Sequence, residues 1–130
     1  MEYQVQICRN GTTKAPGPEM FYLQDWDKEY TLFTYFFILR GGGHTMLIDT
    51  GCGDIGPINR LLDEEFGGKI SFDLPEEETT QSILAHAGVD PSVVDLVFLS
   101  HLHHDHASNV DLFPNAKVVL SRRGWLEYVK

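Results

Sequence analysis

Four metal-binding side chains fall within six residues of this chain, and they constrain its fold more than any other feature. They are His101, His103, Asp105 and His106. Imidazole and carboxylate groups are the ligands that first-row transition metals favour. The residues just before them, 94–99, form a short apolar run rich in strand formers, which predicts a buried strand. The sequence therefore predicts a metal site where a strand ends.

The spacing of the four donors favours two metal ions over one. In extended backbone the side chains at 101, 103 and 105 share a face, so the fourth donor joins them only if the chain turns. A turn would leave His101 and His103 to one ion. Asp105 and His106 would then serve a second ion about 3.5 to 4 Å away, the separation that two-metal hydrolases use. The alternative is a solvated loop that binds metal only adventitiously, and four donors in this order argue against it.

The pattern His-x-His-x-Asp-His resembles the signature of the metallo-β-lactamase superfamily. A second likeness lies upstream, where an apolar strand at 44–48 ends in Asp49-Thr50-Gly51, similar to the first motif of that family. The resemblance implies that Asp49 lies behind the metal ligands and orients a ligating imidazole. The alternative for Asp49 is an ordinary strand-ending aspartate before a glycine turn.

Within the superfamily the chain most resembles the N-acyl homoserine lactonases, the quorum-quenching enzymes, over about residues 30–129. The segments that carry this likeness are 35–39, 47–52, 74–78, 100–107, 118–123 and 125–128. Glyoxalase II-like thioesterases and other hydrolases share the metal motif. Two departures lie within or just after it: His104 replaces an apolar aromatic residue of many lactonases, and Ala107-Ser108-Asn109 replaces an Ala-Gly-Gly continuation. His104 could line a substrate pocket or remain in solvent.

The resemblance implies a dinuclear metal-dependent hydrolase that opens the lactone ring of N-acyl homoserine lactones through a metal-bridging hydroxide. Its cofactors would be two divalent metal ions, zinc first, with iron, manganese or cobalt as alternatives. Asp105 would bind the second ion and pass a proton to the leaving alkoxide. Phe21, Tyr22 and Trp26 are candidates for an apolar acyl pocket, and packing in the core is the alternative for them.

Two other functions stay open from the sequence. A thioesterase or phosphodiesterase of the same fold would share every metal ligand, and a noncatalytic half-fold module would need no further segment. The net charge of −9, from ten basic and nineteen acidic residues, argues against a nucleic-acid partner, because phosphate binding depends on clustered Lys and Arg. The expected partner is a small ester or lactone substrate.

The sequence predicts a cytoplasmic protein without a membrane span. Residues 1–6 lack a basic start followed by an apolar core. The longest apolar stretch, 32–39, is far shorter than the ~20 residues of a membrane span. Cys8 and Cys52 are too few and too far apart for a disulfide framework, so both are predicted to be free. Cys52 is expected to be a small buried or half-buried residue, and a thiolate near the metals that competes as a ligand is the alternative. A homodimer is left open.

The remaining pattern predicts a single α/β (α+β) domain without repeats. Strands are expected before Asn10-Gly11, over 31–40 and 44–50 as a hairpin that turns at 41–43, and over 117–120. Helices are expected from Pro57, from Glu76 to the glycine at 88, and after a Ser121 cap. An irregular loop is expected over 12–26.

This order matches the N-terminal half of an αββα sandwich, in which two sheets pack face to face with helices outside. The resemblance implies one further histidine for each metal and a bridging aspartate, and no donor cluster follows Asp111. A catalytic zinc normally takes three protein ligands plus water, whereas each ion here would have two. Residues 1–130 are therefore expected to be the incomplete first half of one domain, which needs the remaining C-terminal half as its partner for activity.

Overall fold

The computed structural model describes residues 2–130, which are built around one six-stranded sheet. The strands are β1 (Gln4–Pro16), β2 (Glu29–Gly41), β3 (His44–Ile48), β4 (Ser71–Asp73), β5 (Leu96–Phe98) and β6 (Lys117–Val119). Their order across the sheet is β4-β1-β2-β3-β5-β6. The first four of these pair antiparallel, whereas β5 pairs parallel with both β3 and β6. The sheet and its helices confirm the predicted mixed α/β class.

Helices connect the strands, and side chains cap three of them. Within residues 2–130 the α-helices are α1 (Gly17–Met20), α2 (Ile55–Phe66), α3 (Thr80–His86), α4 (His104–Ala107) and α5 (Arg122–Tyr128), with 3-10 turns at Glu76–Glu78, Pro91–Val93 and Val110–Leu112. Asp54 caps α2, Thr79 caps α3, and Ser121 caps α5 as predicted. None of the helices in this part of the chain is both long and apolar enough to cross a membrane.

The first strand does not end at Asn10-Gly11, contrary to the prediction. It continues to Pro16, and its register with β2 shifts at this pair, which forms a bulge. A Cβ at Gly11 would lie 2.4 Å from the backbone oxygen of Asp73, so only glycine fits there. The irregular loop predicted at 12–26 is wrong over its first part, because β1 continues to Pro16 and α1 spans Gly17–Met20. Bulges and chain reversals use the same residue types, so the pattern alone did not separate them.

The predicted hairpin is confirmed, and its turn is tight. Gly41 pairs with His44, so the reversal uses Gly42 and Gly43, both at positive φ. The helix predicted from Pro57 begins earlier, at Ile55.

The helix predicted from Glu76 is divided into a 3-10 turn and α3. Thr79 between them has extended backbone, with ψ 152°, and its side chain accepts a hydrogen bond from the Ser82 N–H. An N-cap residue is non-helical, so the helix can begin only after Thr79.

The two faces of the sheet differ in what covers them. One face is packed into the core, with Phe36, Ile38, Leu47 and Val97 almost fully buried. The other face carries one apolar side chain from each of five paired strands, Ile7, Phe37, Ile48, Phe98 and Val119. In this row, here called the open-face row, Ile7 is 67% exposed and Phe98 is 45% exposed. Residues 2–130 thus leave an apolar sheet face open to solvent.

Candidate metal centre

The donor motif lies at the edge where two parallel strands end. β5 ends at Phe98, and the donors follow it directly. β3 runs parallel to β5 and ends at Ile48, so Asp49 is brought to the same edge. The backbone N–H of Asp49 donates to the Phe98 carbonyl at 2.7 Å. The motif therefore lies at a strand end, as predicted, and the ends of two neighbouring strands meet there; that it binds metal stays a prediction.

A turn divides the donors into two contacting pairs. The backbone is extended at His103, and α4 begins at the next residue. His101 Nε2 lies 3.1 Å from His103 Nδ1, and His106 Nε2 lies 3.2 Å from Asp105 Oδ2. The two pairs adjoin, because the rings of His101 and His106 have centroids 4.0 Å apart. These are the pairs that the spacing predicted, and their role as metal ligands stays a prediction.

The donor groups are of the chemical types that bind divalent ions. Three imidazoles and one carboxylate suit zinc, iron, manganese and cobalt. Within residues 2–130, however, no three His, Cys, Asp or Glu side chains are arranged to hold one ion. A pair of donors is one short of the three protein ligands of a catalytic zinc. To hold a catalytic zinc of this kind, each pair would need at least one further ligand.

Asp49 lies behind the donor motif and contacts it through hydrogen bonds. Its Oδ1 accepts a hydrogen bond from the Ser100 N–H at 2.7 Å, and its Oδ2 accepts one from the Ser100 hydroxyl at 2.7 Å. The same Oδ2 lies 2.8 Å from His106 Nδ1. Because a carboxylate can only accept, Nδ1 of His106 carries the hydrogen, and Nε2 faces the other way. This is the contact that the predicted orienting role requires, and the role itself stays a prediction.

The charges of the site favour a protonated His106. Hydrogen bonds to Asp105 and then to Asp49 raise the pKa of His106 to about 9. Burial alone would raise the pKa of Asp49, but hydrogen bonds from His106 and Ser100 outweigh it and hold the pKa below its usual value. His106 is therefore charged at neutral pH, and an ion that binds there releases a proton.

His101 differs from His106 in charge. Burial, followed by electrostatic repulsion from His106 and then from His103, lowers the pKa of His101 below its ordinary value. Its ring is neutral at pH 7, which is the form that coordinates metal.

Both cysteines are buried and free, as predicted. Burial, followed by the negative charge of Asp105, raises the pKa of Cys52 to about 12. Cys52 is therefore a thiol at neutral pH in the metal-free chain, and its role as a competing metal ligand stays a prediction.

His104 does not remain in solvent. Its Nδ1 lies 2.9 Å from the Ser108 hydroxyl, and its ring meets Phe72 edge-on with centroids 5.9 Å apart. Nε2 is buried without a hydrogen-bond partner among residues 2–130. The ring lines a cavity of about 600 Å³ that Ile58 and Leu61 of α2 also line. The solvent alternative is wrong, and the substrate-pocket role of His104 stays a prediction.

A second cavity, of about 450 Å³, lies on the open face beside the Asp105 and His106 pair. Its aromatic lining consists of Phe33, Tyr35, Phe37 and Phe72. Sequence reasoning missed these residues. The signal was present in β2, where every second residue from 33 to 37 is aromatic and points to one face.

Phe21, Tyr22 and Trp26 line neither of these cavities. They lie beside α1 at the tip of the β1–β2 ribbon, and they are 45%, 86% and 70% exposed. Packing in the core, the alternative for them, is therefore wrong. The predicted acyl pocket receives no support from either cavity, because the part of the ribbon that lies beside Asp105 and His106 is its middle, at residues 33–37, and not its tip.

Comparison with known proteins identifies related sequences and folds. The family model described as the metallo-beta-lactamase superfamily matches residues 30–130. The N-acyl homoserine lactonase AiiB of Agrobacterium fabrum (strain C58) is 34% identical over 90 residues, which are 64% of this chain and 30% of AiiB. The chain thus spans about a third of the length of the curated relatives it matches.

Two solved structures show the same fold. One is an N-acyl homoserine lactone hydrolase with the product N-hexanoyl-L-homoserine bound at its catalytic metal centre. It has a TM-score of 0.85 and 22% identity, over 97% of this chain and 51% of that one. The other is AidC, a dizinc quorum-quenching lactonase, with a TM-score of 0.63 and 18% identity, over 99% of this chain and 45% of that one. At these identities the likeness shows the fold alone.

Proposed function

The chain belongs to the metallo-β-lactamase superfamily, and we propose that it carries the metal-binding half of a hydrolase that opens the lactone ring of N-acyl homoserine lactones. The observation that carries the proposal is the arrangement of the donors. One pair of histidines and one histidine–aspartate pair adjoin at one sheet edge, and Asp49 supports them from behind. An aromatic cavity lies beside this site.

The names of the related proteins support the lactone as substrate. AiiB is an N-acyl homoserine lactonase, and the solved hydrolase holds N-hexanoyl-L-homoserine, which is a ring-opened product with an acyl chain. Such a substrate needs an apolar surface beside the reacting carbonyl. The open-face cavity next to Asp105 and His106 offers that surface in an aromatic lining.

We propose that His101 and His103 hold one divalent ion, and that Asp105 and His106 hold a second, with zinc as the first choice. When bound, such ions make hydroxide available from water at neutral pH and polarise a carbonyl. The chain itself orients the ligands. Asp49 accepts from His106 Nδ1 and fixes the direction of its Nε2, and Ser100 fixes Asp49 through two hydrogen bonds.

Asp105 also carries the proton in this proposal. Burial alone would raise the pKa of Asp105, but the hydrogen bond from His106 outweighs it and lowers the pKa, so the carboxylate is ionised at neutral pH. It can therefore accept the proton that water loses when the attacking hydroxide forms. When the ring carbon–oxygen bond breaks, Asp105 returns that proton to the leaving alkoxide, which yields the hydroxy acid.

We further propose that a second sheet covers the open-face row in the complete protein. The row is apolar across five strands, and each donor pair needs another ligand. Cysteine accessibility tests this proposal. We expect Ile7→Cys and Phe98→Cys to react slowly with a thiol reagent in the complete protein. Val93→Cys, in a 3-10 turn outside the sheet and 55% exposed, should react quickly. Equal rates at the three positions would contradict a covering sheet.

A substrate panel tests the proposed activity. The complete, metal-loaded protein is expected to open N-acyl homoserine lactones with a kcat/KM at least about 100-fold above that for thioesters or phosphodiesters, because a site discriminates by its fit to one transition state. Single- and double-stranded nucleic acid should remain uncut, since the net charge of −9 repels phosphate. Strong thioester cleavage without lactone opening would refute the lactonase and leave the superfamily assignment standing.

A further inference from the structure

Two buried side-chain amides, Asn10 and Asn109, enclose the turn that follows β3. Asn10 is fully buried in the bulge of β1, and Asn109 is 7% exposed just after α4. We propose that these two amides position the turn of residues 49–52, and through it Asp49 and His106, for metal binding. This inference rests on the proposed metal site and adds positioning residues that do not themselves contact metal or substrate.

The turn has a backbone that needs support. Asp49 has φ +60°, a left-handed conformation that non-glycine residues rarely adopt and that persists only where the surroundings hold it. Gly51 has φ +76°, and a Cβ there would lie 2.6 Å from the side chain of Asn10. The Asn10 amide thus packs directly against the turn, in a space that exists because residue 51 has no side chain.

The side-chain amide of Asn109 contacts three carbonyl groups of the turn. Its Nδ2 lies 3.0, 3.1 and 2.8 Å from the carbonyl oxygens of Thr50, Gly51 and Cys52. The same nitrogen lies 3.0 Å from the Thr80 hydroxyl oxygen, and that hydroxyl donates to the Thr50 carbonyl at 2.7 Å. An amide nitrogen has two hydrogens to share among these acceptors, so all of them converge on one donor group.

Asn10 fixes the other end of the turn. Its Oδ1 accepts a hydrogen bond from the Cys52 N–H, and its Nδ2 donates to the Glu78 carbonyl at 2.8 Å. The turn is therefore tied to the bulge of β1 and to the 3-10 turn at Glu76–Glu78. Neither of these anchors belongs to the donor motif.

The turn of residues 49–52 contacts His106 both at its backbone carbonyl and at its ring. The Thr50 N–H and the Thr50 hydroxyl donate to the His106 carbonyl at 2.7 and 2.9 Å. The Asn109 N–H donates to the Thr50 hydroxyl at 3.1 Å, which fixes that hydroxyl. Asp49 Oδ2 meets His106 Nδ1 at 2.8 Å. A displacement of the turn would therefore move both the backbone and the ring of His106.

Asn109→Asp in the complete protein is the test. The new side chain has the same shape, but it places an acceptor against three carbonyl oxygens in place of a donor. We expect zinc affinity, measured by competition with a chromogenic chelator well below the melting temperature, to fall about 10- to 100-fold. In the metal-free variant, the long-range proton–nitrogen NMR signals of the His106 ring should shift away from their wild-type positions.

Asn115→Asp is the matched control. Asn115 is exposed, and its Nδ2 donates to a single carbonyl, that of Ser92, at 2.8 Å. The chemical change is the same, and zinc affinity and the His106 signals should stay at wild-type values.

A second pair of variants covers the case in which Asn109→Asp does not fold. Thr50→Val keeps the shape but removes the hydroxyl that donates to His106, and it should lower zinc affinity. Thr50→Ser keeps the hydroxyl and should restore the affinity.

The outcomes separate positioning from a merely structural role. A lower melting temperature with wild-type zinc affinity and unchanged His106 signals in the folded variants would overturn the inference. If the wild-type protein binds zinc and opens no lactone, while the variants show the expected losses of zinc affinity, the proposed substrate alone would be refuted. A wild-type protein that binds no divalent ion would overturn both.

Discussion

Asp105→Ala is expected to remove one of two metal ions from the complete protein and to lower kcat/KM for lactones by about 1000-fold or more. Asp105 is the only carboxylate in the donor motif, and it is the proposed proton carrier. A catalytic metal contributes several kcal/mol to the barrier, and each 1.4 kcal/mol is a factor of ten. The fold should persist, because Asp105 lies in the short α4 and not in the core. Metal analysis by mass spectrometry and steady-state kinetics measure both effects.

The control for this variant is Asp27→Ala. Asp27 is an exposed carboxylate near the ribbon tip, outside the motif and both cavities. The control should keep two ions per chain and wild-type turnover. If Asp105→Ala also kept two ions and near-normal hydrolysis, the two-metal assignment would be wrong.

Asp49→Ala is expected to lower the free energy of unfolding by about 3 kcal/mol and zinc affinity by about 10- to 100-fold. The loss of stability has two sources. The partly buried Ser100 N–H loses its acceptor, and alanine is strained at φ +60°. The loss of affinity follows from His106, whose ring loses the partner that directs it. Chemical denaturation and chelator competition measure the two quantities separately.

Asp49→Asn separates strain from orientation. Asparagine tolerates left-handed backbone, and its oxygen can still accept from the Ser100 N–H. Its NH₂ group cannot accept from His106 Nδ1. Stability should therefore return toward the wild-type value while zinc affinity remains low. Wild-type affinity in this variant would show that Asp49 does not orient the ligand.

A second aspartate–histidine pair on the same two strands provides the control. Asp95 lies 3.3 Å from His44 Nδ1 and accepts from the Thr45 N–H at 3.0 Å, at the start of β3 and β5. The pair is exposed and lies at the opposite end of these strands from the donor motif. Asp95→Asn should leave zinc affinity unchanged.

The donor motif and its supporting strands could be predicted from sequence because their signals are local. Four donors lie within six residues, and an apolar run before them predicts β5. The glycines at 41–43 predict the hairpin for the same reason, since a tight turn between two apolar runs is visible in one short window. Asp49 was found by family resemblance, because no local pattern links it to His106.

The contacts that hold the turn at 49–52 could not be predicted in this way. Asn10 bonds to residue 52, and Asn109 bonds to residues 50–52, so each contact joins segments that are distant in sequence. A lone asparagine next to a glycine or serine predicts a turn, and nothing in its neighbours distinguishes a buried amide. The position of the aromatic residues near α1 could not be predicted for a related reason, because composition shows that they are apolar but not at which end of the ribbon they lie, and their substrate-pocket role stays a prediction.

The parallel pairing of β3 with β5 has a consequence for the order of folding. β1, β2 and β3 are joined as an antiparallel meander, whose hairpins close over short stretches of chain. Ile48 and Phe98 pair only after about 50 residues between them have been looped out. Asp49 is delivered by the meander, while Ser100 and His106 arrive with β5. We therefore expect the proposed metal centre to assemble late, so that divalent ions would stabilise the docked chain without helping its first hairpins to form.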